Sequence, residues 1–267
     1  YANTSNSLGA GPLLYCGTEE QKRNYVIPVA KGEKILVFAL TEPGAGSDAG
    51  GTLTSAVQAG DEFILNGRKT FISGAPFADY AVVYAKTDPS QKGSKGISMF
   101  LVDMKLPGVS CGKPEHKMGI VGYPTSDIIL EDVHVHKSDL LGPLHKGFST
   151  AMKTLDGGRL GMAAQAVGIA QGCLDASVKY AKERKQFGKR LIDFQMVQSL
   201  LADMAIKTEA SRVMVNNCMR LMDQGDLVRG EGAIVKTFVT DAMQEVTSNA
   251  VQVFGGYGFS KDYPVEK

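Results

Sequence analysis

Leu40-Thr-Glu-Pro-Gly-Ala-Gly-Ser-Asp48 comes directly after the apolar run Ile35 to Leu40, and its reading decides the fold. Gly44, Gly46 and Ala49 meet the G-x-G-x-x-G/A spacing of a dinucleotide-binding turn, but that turn must open a helix. The chain continues instead with Gly50-Gly51-Thr-Leu-Thr-Ser and then Asn66-Gly67, a pair suited to the two positive-φ positions of a type I′ hairpin. This is strand grammar, not helix grammar, so a Rossmann unit is excluded by context. No Lys-Ser/Thr comes after the glycines, which excludes a P-loop. By composition the loop is a turn. Its glycines and the Thr41 and Ser47 hydroxyls also offer the donors of a nest for a pyrophosphate or a ring carbonyl.

Working outward, short β-rich runs continue at Ile35 to Leu40, Glu62 to Leu65, Lys69 to Ser73, Tyr80 to Tyr84, Ile97 to Val102 and Ser126 to Leu130. These read as an antiparallel sheet, with Asn66-Gly67 as a hairpin turn. After about Lys146 the apolar period becomes 3.6 residues, and helices are expected from about Arg159 to Lys185, Phe194 to Met222 and Glu231 to Phe254. Connections near Phe187-Gly188-Lys189 and Gln224-Gly225-Asp226 favour an antiparallel bundle. Asp156 reads as an N-terminal cap with Arg159 one turn in, Glu183 to Lys189 as a charged helix end with a Gly stop, and Gln252 to Gly256 as a helix ending on glycines. The first 33 residues hold a helical fragment around Glu19 to Val29, and both ends look cut.

The 267 residues carry 29 Lys plus Arg against 28 Asp plus Glu, and this near-neutral, dispersed charge makes nucleic acid an unexpected partner. No apolar run reaches the roughly 18 residues of a membrane span. The start lacks the parts of a signal peptide. Cys16, Cys111, Cys173 and Cys218 are widely spaced, which favours reduced thiols. His134 and His136 share one strand face, too small a donor set for zinc, and no metal site is expected. Cys111 and His116 lack a third group for nucleophilic catalysis.

LTEPGAGSD at 40–48, NGRKTFIS at 66–73, EDVHVH with the LLG turn at 131–142, DGGR at 156–159, ERKQFGK at 183–189, and QVFGGYGF with YPVEK at 252–267 occur in this order and at these separations. The chain resembles the acyl-CoA dehydrogenase family, flavoenzymes that oxidise acyl-CoA thioesters to 2-enoyl-CoA, and within it the short- or medium-chain, butyryl-CoA dehydrogenase-like members. The resemblance implies an α+β multidomain fold: an antiparallel, β-barrel-like middle domain followed by a C-terminal antiparallel four-helix bundle. It divides the chain into the end of an N-terminal helical domain (1–33), the middle β domain (34–145) and an incomplete helical domain (146–267).

The cofactor implied is FAD. Phe38, Leu40 and Thr41 are expected against the flavin ring, Gly46 and Ser47 near its pyrophosphate, and Phe71, Ile72 and Ser73 beside the ring away from substrate, with Phe71 standing where the family often has Trp. Arg184, Phe187 and Gln195 match positions that reach FAD bound mainly by a neighbouring subunit, and Gln252, Val253, Phe254, Gly255 and Gly256 match the turn at its adenosine half. The resemblance thus implies a homo-oligomer, usually a tetramer. Ser47, Asp156 and Arg159 match the acyl-CoA site.

The family's usual basic glutamate lies in a Glu-Gly-Thr motif, expected beyond Lys267. Gly158 occupies the alternative position, and Glu266 matches no catalytic position. The implied reaction is α,β-dehydrogenation to the trans-2-enoyl-CoA, with electrons passed to an electron-transfer flavoprotein. The alternatives are an acyl-CoA oxidase, an enoyl-CoA reductase or a non-catalytic member. The implied compartment is the bacterial cytoplasm or the mitochondrial matrix.

Overall fold

The computed structural model describes residues 2–225 and 229–267, with side chains except those of residues 2–6 and Arg229. Asp226, in the second expected connection, lies outside the described residues. The chain divides into two compact units, Tyr1–Leu155 and Asp156–Lys267.

The first unit opens with helix α1 (Ala2–Cys16), which the sequence reading missed. A second helical stretch runs through α2 (Glu19–Gln21), a π-type turn (Lys22–Val26) and α3 (Ile27–Ala30). Thr18 caps it, and the Gln21 amide donates to Ser138 O at 2.8 Å, pinning the helix to a corner of the sheet.

The sheet comprises β1 (Leu36–Ala39), β2 (Ser55–Ala59), β3 (Glu62–Ser73), β4 (Tyr80–Lys86), β5 (Ile97–Asp103), β6 (Val109–Cys111), β7 (Thr125–His136) and β8 (Leu140–Leu141). Its order is β6-β7-β3-β2-β4-β5-β8, with β1 also on β4. One edge of β4 carries β5. The other carries β1 along 80–83 and then β2 at Lys86, both parallel to it. The expected antiparallel barrel is therefore wrong: the sheet is mixed, and it stays open at the short strands β6 and β8. Forty residues separate β1 from β4, a connection long enough for a parallel pair, whereas every hairpin-linked pair is antiparallel.

The expected hairpin turn at Asn66-Gly67 also moves. The turn is Gly60-Asp61, with Gly60 at φ +63°, and Asn66-Gly67 is a bulge inside β3. A Cβ on Gly67 would lie 2.5 Å from the Thr54 hydroxyl, so the glycine serves close strand approach. Asn66 bridges across to Asp132 by two hydrogen bonds of 2.9 and 2.8 Å. Two apolar layers cover the sheet. One holds Val37, Val83, Phe100, Ile128 and Val133. The other packs Leu36, Val82, Tyr84 and Leu101 under Leu13 of α1.

Helix α4 (Gly147–Glu183) begins about 12 residues before the expected start. Asp156 is therefore interior to a helix, not its cap. Phe148, Met152 and Leu155 continue the apolar stripe backward at i, i+4 and i+7 and pack on the first unit's core, which outweighs the helix-weakening Gly157-Gly158.

The second unit contains the rest of α4, α5 (Gln195–Asp223) and α6 (Arg229–Phe254). The four-helix bundle is also corrected. Among the described residues three long helices occur; a two-stranded ribbon, β9 (Lys185–Gln186) and β10 (Lys189–Arg190), joins α4 to α5, and short 3-10 turns come after α6. The ribbon replaces the expected glycine stop, because Phe187 (φ +51°) and Gly188 (φ +78°) form the two central residues of a tight hairpin. In α6 the buried side chains are Val235, Val239, Ala242, Val246, Ala250, Val253 and Phe254, while Ile234 and Phe238 face outward.

Candidate functional site

Eight of the sequence-selected residues converge on one cavity of about 400 Å³ in the first unit: Phe38, Leu40, Thr41, Gly46, Ser47, Phe71, Ile72 and Ser73. The structure adds Leu8 of α1, Ala49, and Phe148, Met152 and Leu155 of α4. The i, i+4, i+7 spacing of the last three was the signal that could have found them. The walls are aliphatic and aromatic, with hydroxyls at Thr41, Ser47 and Ser73, an apolar slot with a few converging donors.

Backbone geometry builds this slot. The β3–β7 register shifts between Lys69 and Ile72, and within that bulge Phe71 sits at φ +56° and is 64% exposed. A left-handed backbone at an aromatic residue costs free energy and is kept where the surroundings over-determine it. Ser73 lies 3.3 Å from Thr125 Oγ1, which accepts from Lys117 Nζ at 3.1 Å. On the glycine loop, nothing lies within 4 Å of a Cβ built on Gly44 or Gly46, so these two glycines leave open space beside the loop.

Under the loop lies an ion pair that the sequence reading missed. Lys69 is wholly buried and Glu42 is 6% exposed, with Lys69 Nζ 2.8 Å from Glu42 Oε1. Lys69 also donates to Leu40 O at 3.1 Å and to Thr52 Oγ1 at 3.0 Å. Glu42 accepts from the Thr52 hydroxyl and from the amides of Leu53 (2.7 Å) and Thr54 (2.9 Å). Burial pushes the Glu42 carboxyl up, but the Lys69 charge and the hydrogen bonds from Lys69, Thr52 and Thr54 outweigh it and hold the group at about 2. Burial lowers Lys69 to about 8 against the pull of Glu42, so both groups are charged at neutral pH.

The second unit holds a cavity of about 730 Å³ lined by Arg184, Gln252, Val253, Phe254, Gly255 and Gly256, together with Tyr180, Met196 and Tyr257. The Arg184 guanidinium lies 5.6 Å from the Tyr257 ring centroid. Val253 and Phe254 line the cavity and are at the same time buried core side chains. Phe187 and Gln195 do not line it. Phe187 projects from the β9–β10 ribbon at 93% exposure, and Gln195 opens α5. Arg159 forms an ion pair with Asp156 on α4, while Ser47 belongs to the first unit. Gly158 is interior to α4, and Glu266 lines a separate groove with Cys173, Met243 and Val251. His134 pairs with Glu62 at 2.8 Å, and His136 bonds Ser138. Among the described residues no cluster of metal-binding side chains occurs and the four cysteines are free. No described helix is long and apolar enough to cross a membrane.

The acyl-CoA dehydrogenase middle-domain model matches residues 37–133, and the acyl-CoA dehydrogenase C-terminal-domain model matches residues 145–267. The caffeyl-CoA reductase-Etf complex subunit CarC of Acetobacterium woodii is 57% identical over all of this chain and 70% of its own length. The 3-(aryl)acrylate reductase of Clostridium sporogenes is 55% identical over all of this chain and 71% of its own. Butyryl-CoA dehydrogenase from Megasphaera elsdenii superposes with a TM-score of 0.96 at 43% identity, covering 99% of this chain and 70% of that one.

Fold, cavity and likeness together define an FAD-dependent oxidoreductase. The chain belongs to the acyl-CoA dehydrogenase family. The first-unit cavity fits the cofactor by its chemistry, since a flat, largely apolar ring with a polar edge suits aromatic walls and the Thr41, Ser47 and Ser73 hydroxyls.

Proposed function

We propose that the first-unit cavity receives the isoalloxazine of FAD. Phe38, Leu40, Phe71 and Ile72 pack against the ring, Thr41 and Ser73 donate to its polar edge, and Gly46 and Ser47 lie by the pyrophosphate. The observation that carries this reading is the convergence of these eight residues on one cavity. Arg184, Phe187, Gln195 and the turn Gln252 to Gly256 take the pyrophosphate and adenosine of FAD held by a neighbouring copy in a homotetramer. Support comes from the shared cavity of Arg184 with the glycine turn and from the outward projection of Phe187. A planar guanidinium pairs bidentately with phosphate oxygens. Ser47, Asp156 and Arg159 serve the acyl-CoA. The reading places residues 1–33 in the end of a helical domain, 34–145 in the middle domain and 146–267 in the helical domain, in a protein of the bacterial cytoplasm or mitochondrial matrix.

FAD supplies a two-electron acceptor for hydride leaving the β-carbon while the α-carbon loses a proton. The residues of this chain orient and insulate. Phe38, Phe71 and Phe148 exclude water from the slot, and Thr41 and Ser73 present preorganised donors where negative charge accumulates. Electrons pass to an electron-transfer flavoprotein. The reductive direction, on an aryl-substituted enoyl-CoA, is favoured by one observation: the caffeyl-CoA reductase subunit and the arylacrylate reductase are 57% and 55% identical, against 46% for the short-chain-specific enzyme of Clostridium acetobutylicum.

The test is flavin absorbance on mixing with straight-chain, branched and aryl acyl-CoAs, and then reoxidation in air or with an electron-transfer flavoprotein. Bleaching by an acyl-CoA and slow reaction with air are expected. A colourless protein that FAD does not restore would defeat the reading, and rapid reaction with oxygen would make it an oxidase. Re-colouring of the reduced protein by an aryl enoyl-CoA, without bleaching by the saturated partner, would favour the reductive direction.

A further inference from the structure

The buried Glu42–Lys69 pair is a polar centre to which the reaction as described assigns no part. It touches three places at once: the Leu40 carbonyl on one side of the glycine loop, the Thr52 hydroxyl and the Leu53 and Thr54 amides on the other, and β3 through Lys69 itself. It thus clasps both ends of the segment that carries Gly46, Ser47 and Ala49 into the cavity wall. It also fixes a peptide plane. All peptides in the described chain are trans, so the carbonyl of Leu40 and the N–H of Thr41 point in opposite directions. With Leu40 O drawn to Lys69, the Thr41 N–H is turned away from the pair. The next plane is held in the same way, because Thr41 O accepts from Thr70 N at 2.9 Å. Adjacent residues of β3 therefore orient two successive peptides at the mouth of the loop, and neither Lys69 nor Glu42 lines the cavity.

We infer that Lys69, anchored by Glu42, is a positioning residue that aims the Thr41 amide at a carbonyl on the polar edge of the flavin ring and polarises it through the Leu40–Thr41 peptide. The inference rests on the flavin reading of this cavity. A charged donor on the carbonyl strengthens the amide at the other end of the same peptide, and that amide gains most when the ring carries negative charge. Lys69 thus favours the reduced over the oxidised cofactor without touching it.

The test uses the holoprotein and the neutral double variant Lys69→Met/Glu42→Gln, which leaves neither partner as an isolated buried charge. Affinity for reduced FAD is expected to fall about tenfold more than affinity for oxidised FAD, read as a midpoint potential about 30 mV lower for this two-electron couple. A folded double variant with wild-type potential and visible spectrum would overturn the inference. The wild-type protein supplies a second measurement should the double variant not fold. FAD analogues with sulfur in place of the 2- or 4-carbonyl oxygen accept hydrogen bonds poorly, and at least one is expected to bind about tenfold more weakly than FAD. Equal affinity for FAD and both analogues would overturn the inference. Failure of the wild-type protein to bind FAD at all would instead remove the flavin reading beneath it.

Discussion

At the scale of single residues, Phe71 shows where folding and ligand binding pull apart. Its ring is largely exposed and its φ is +56°, so it contributes little burial and carries backbone strain of about 1–2 kcal/mol. Phe71→Gly is expected to leave the apoprotein as stable as wild type, or more so in urea, while weakening FAD binding about tenfold in fluorescence titration. Lys69 and Glu42 show the opposite case. Lys69→Met alone strands a buried carboxylate and should cost about 3–5 kcal/mol in denaturant unfolding. The sign of the pH effect comes from Glu42, held at about 2 in the folded chain against 4.5 for an unperturbed glutamate. Between these values the unfolded chain binds the additional proton. The stabilisation is thus complete above about pH 4.5 and drains away as pH falls toward 2, and Glu42→Gln should flatten that part of the stability curve.

At the scale of elements, what could be read from the sequence depended on whether local chemistry had one use or two. The strands at β4 and β5 are apolar on both faces, and their runs at Tyr80 and Ile97 mark them directly. Asn-Gly has two uses, and here a bulge pinned by Asn66 to Asp132 and a close approach to Thr54 displaced the hairpin. Phe187-Gly188 carries no such familiar pair, yet it is the tight turn. Gly157-Gly158 resembles a helix boundary only while the stripe Phe148, Met152 and Leu155 goes unread. The cavity residues on the glycine loop and β3 were legible because they lie in short motifs. The ion pair beneath them was not, since a lysine and a glutamate 27 positions apart give no local period. Gly168, within α4, has open space around its Cβ position and an ordinary helical φ. Gly168→Ala should therefore add about 1 kcal/mol and raise the thermal midpoint by about 2–4 °C in calorimetry.

At the scale of the whole molecule, the proposed sharing of one cofactor between copies would make binding a property of the assembly. Phe71→Gly damages one half of the proposed FAD site and Arg184→Ala the other. Each alone is expected to bind FAD poorly, with Arg184→Ala weaker by about tenfold or more, whereas mixed oligomers rebuild intact sites from one copy of each. Refolding the two variants together should recover part of the flavin absorbance, and two separately assembled variants mixed afterwards should recover none. No recovery of flavin on refolding the two together would place both half-sites within a single copy, and full binding by either variant alone would remove its residue from the site.

The three neighbours of β4 carry a consequence for how the first unit comes apart. Ala81 to Ala85 are buried on both faces, and that strand alone joins the parallel entry at β1 and β2 to the antiparallel meander at β5. Deuterium should reach its amides last, after the rim strands at residues 109–111 and 140–141 have opened, because no partial fraying releases them without dismantling both neighbouring ladders. The slowest-exchanging protons of residues 1–155 then report the global unfolding of that unit. Any substitution that accelerates them is acting on the keystone of the sheet, not on its margins.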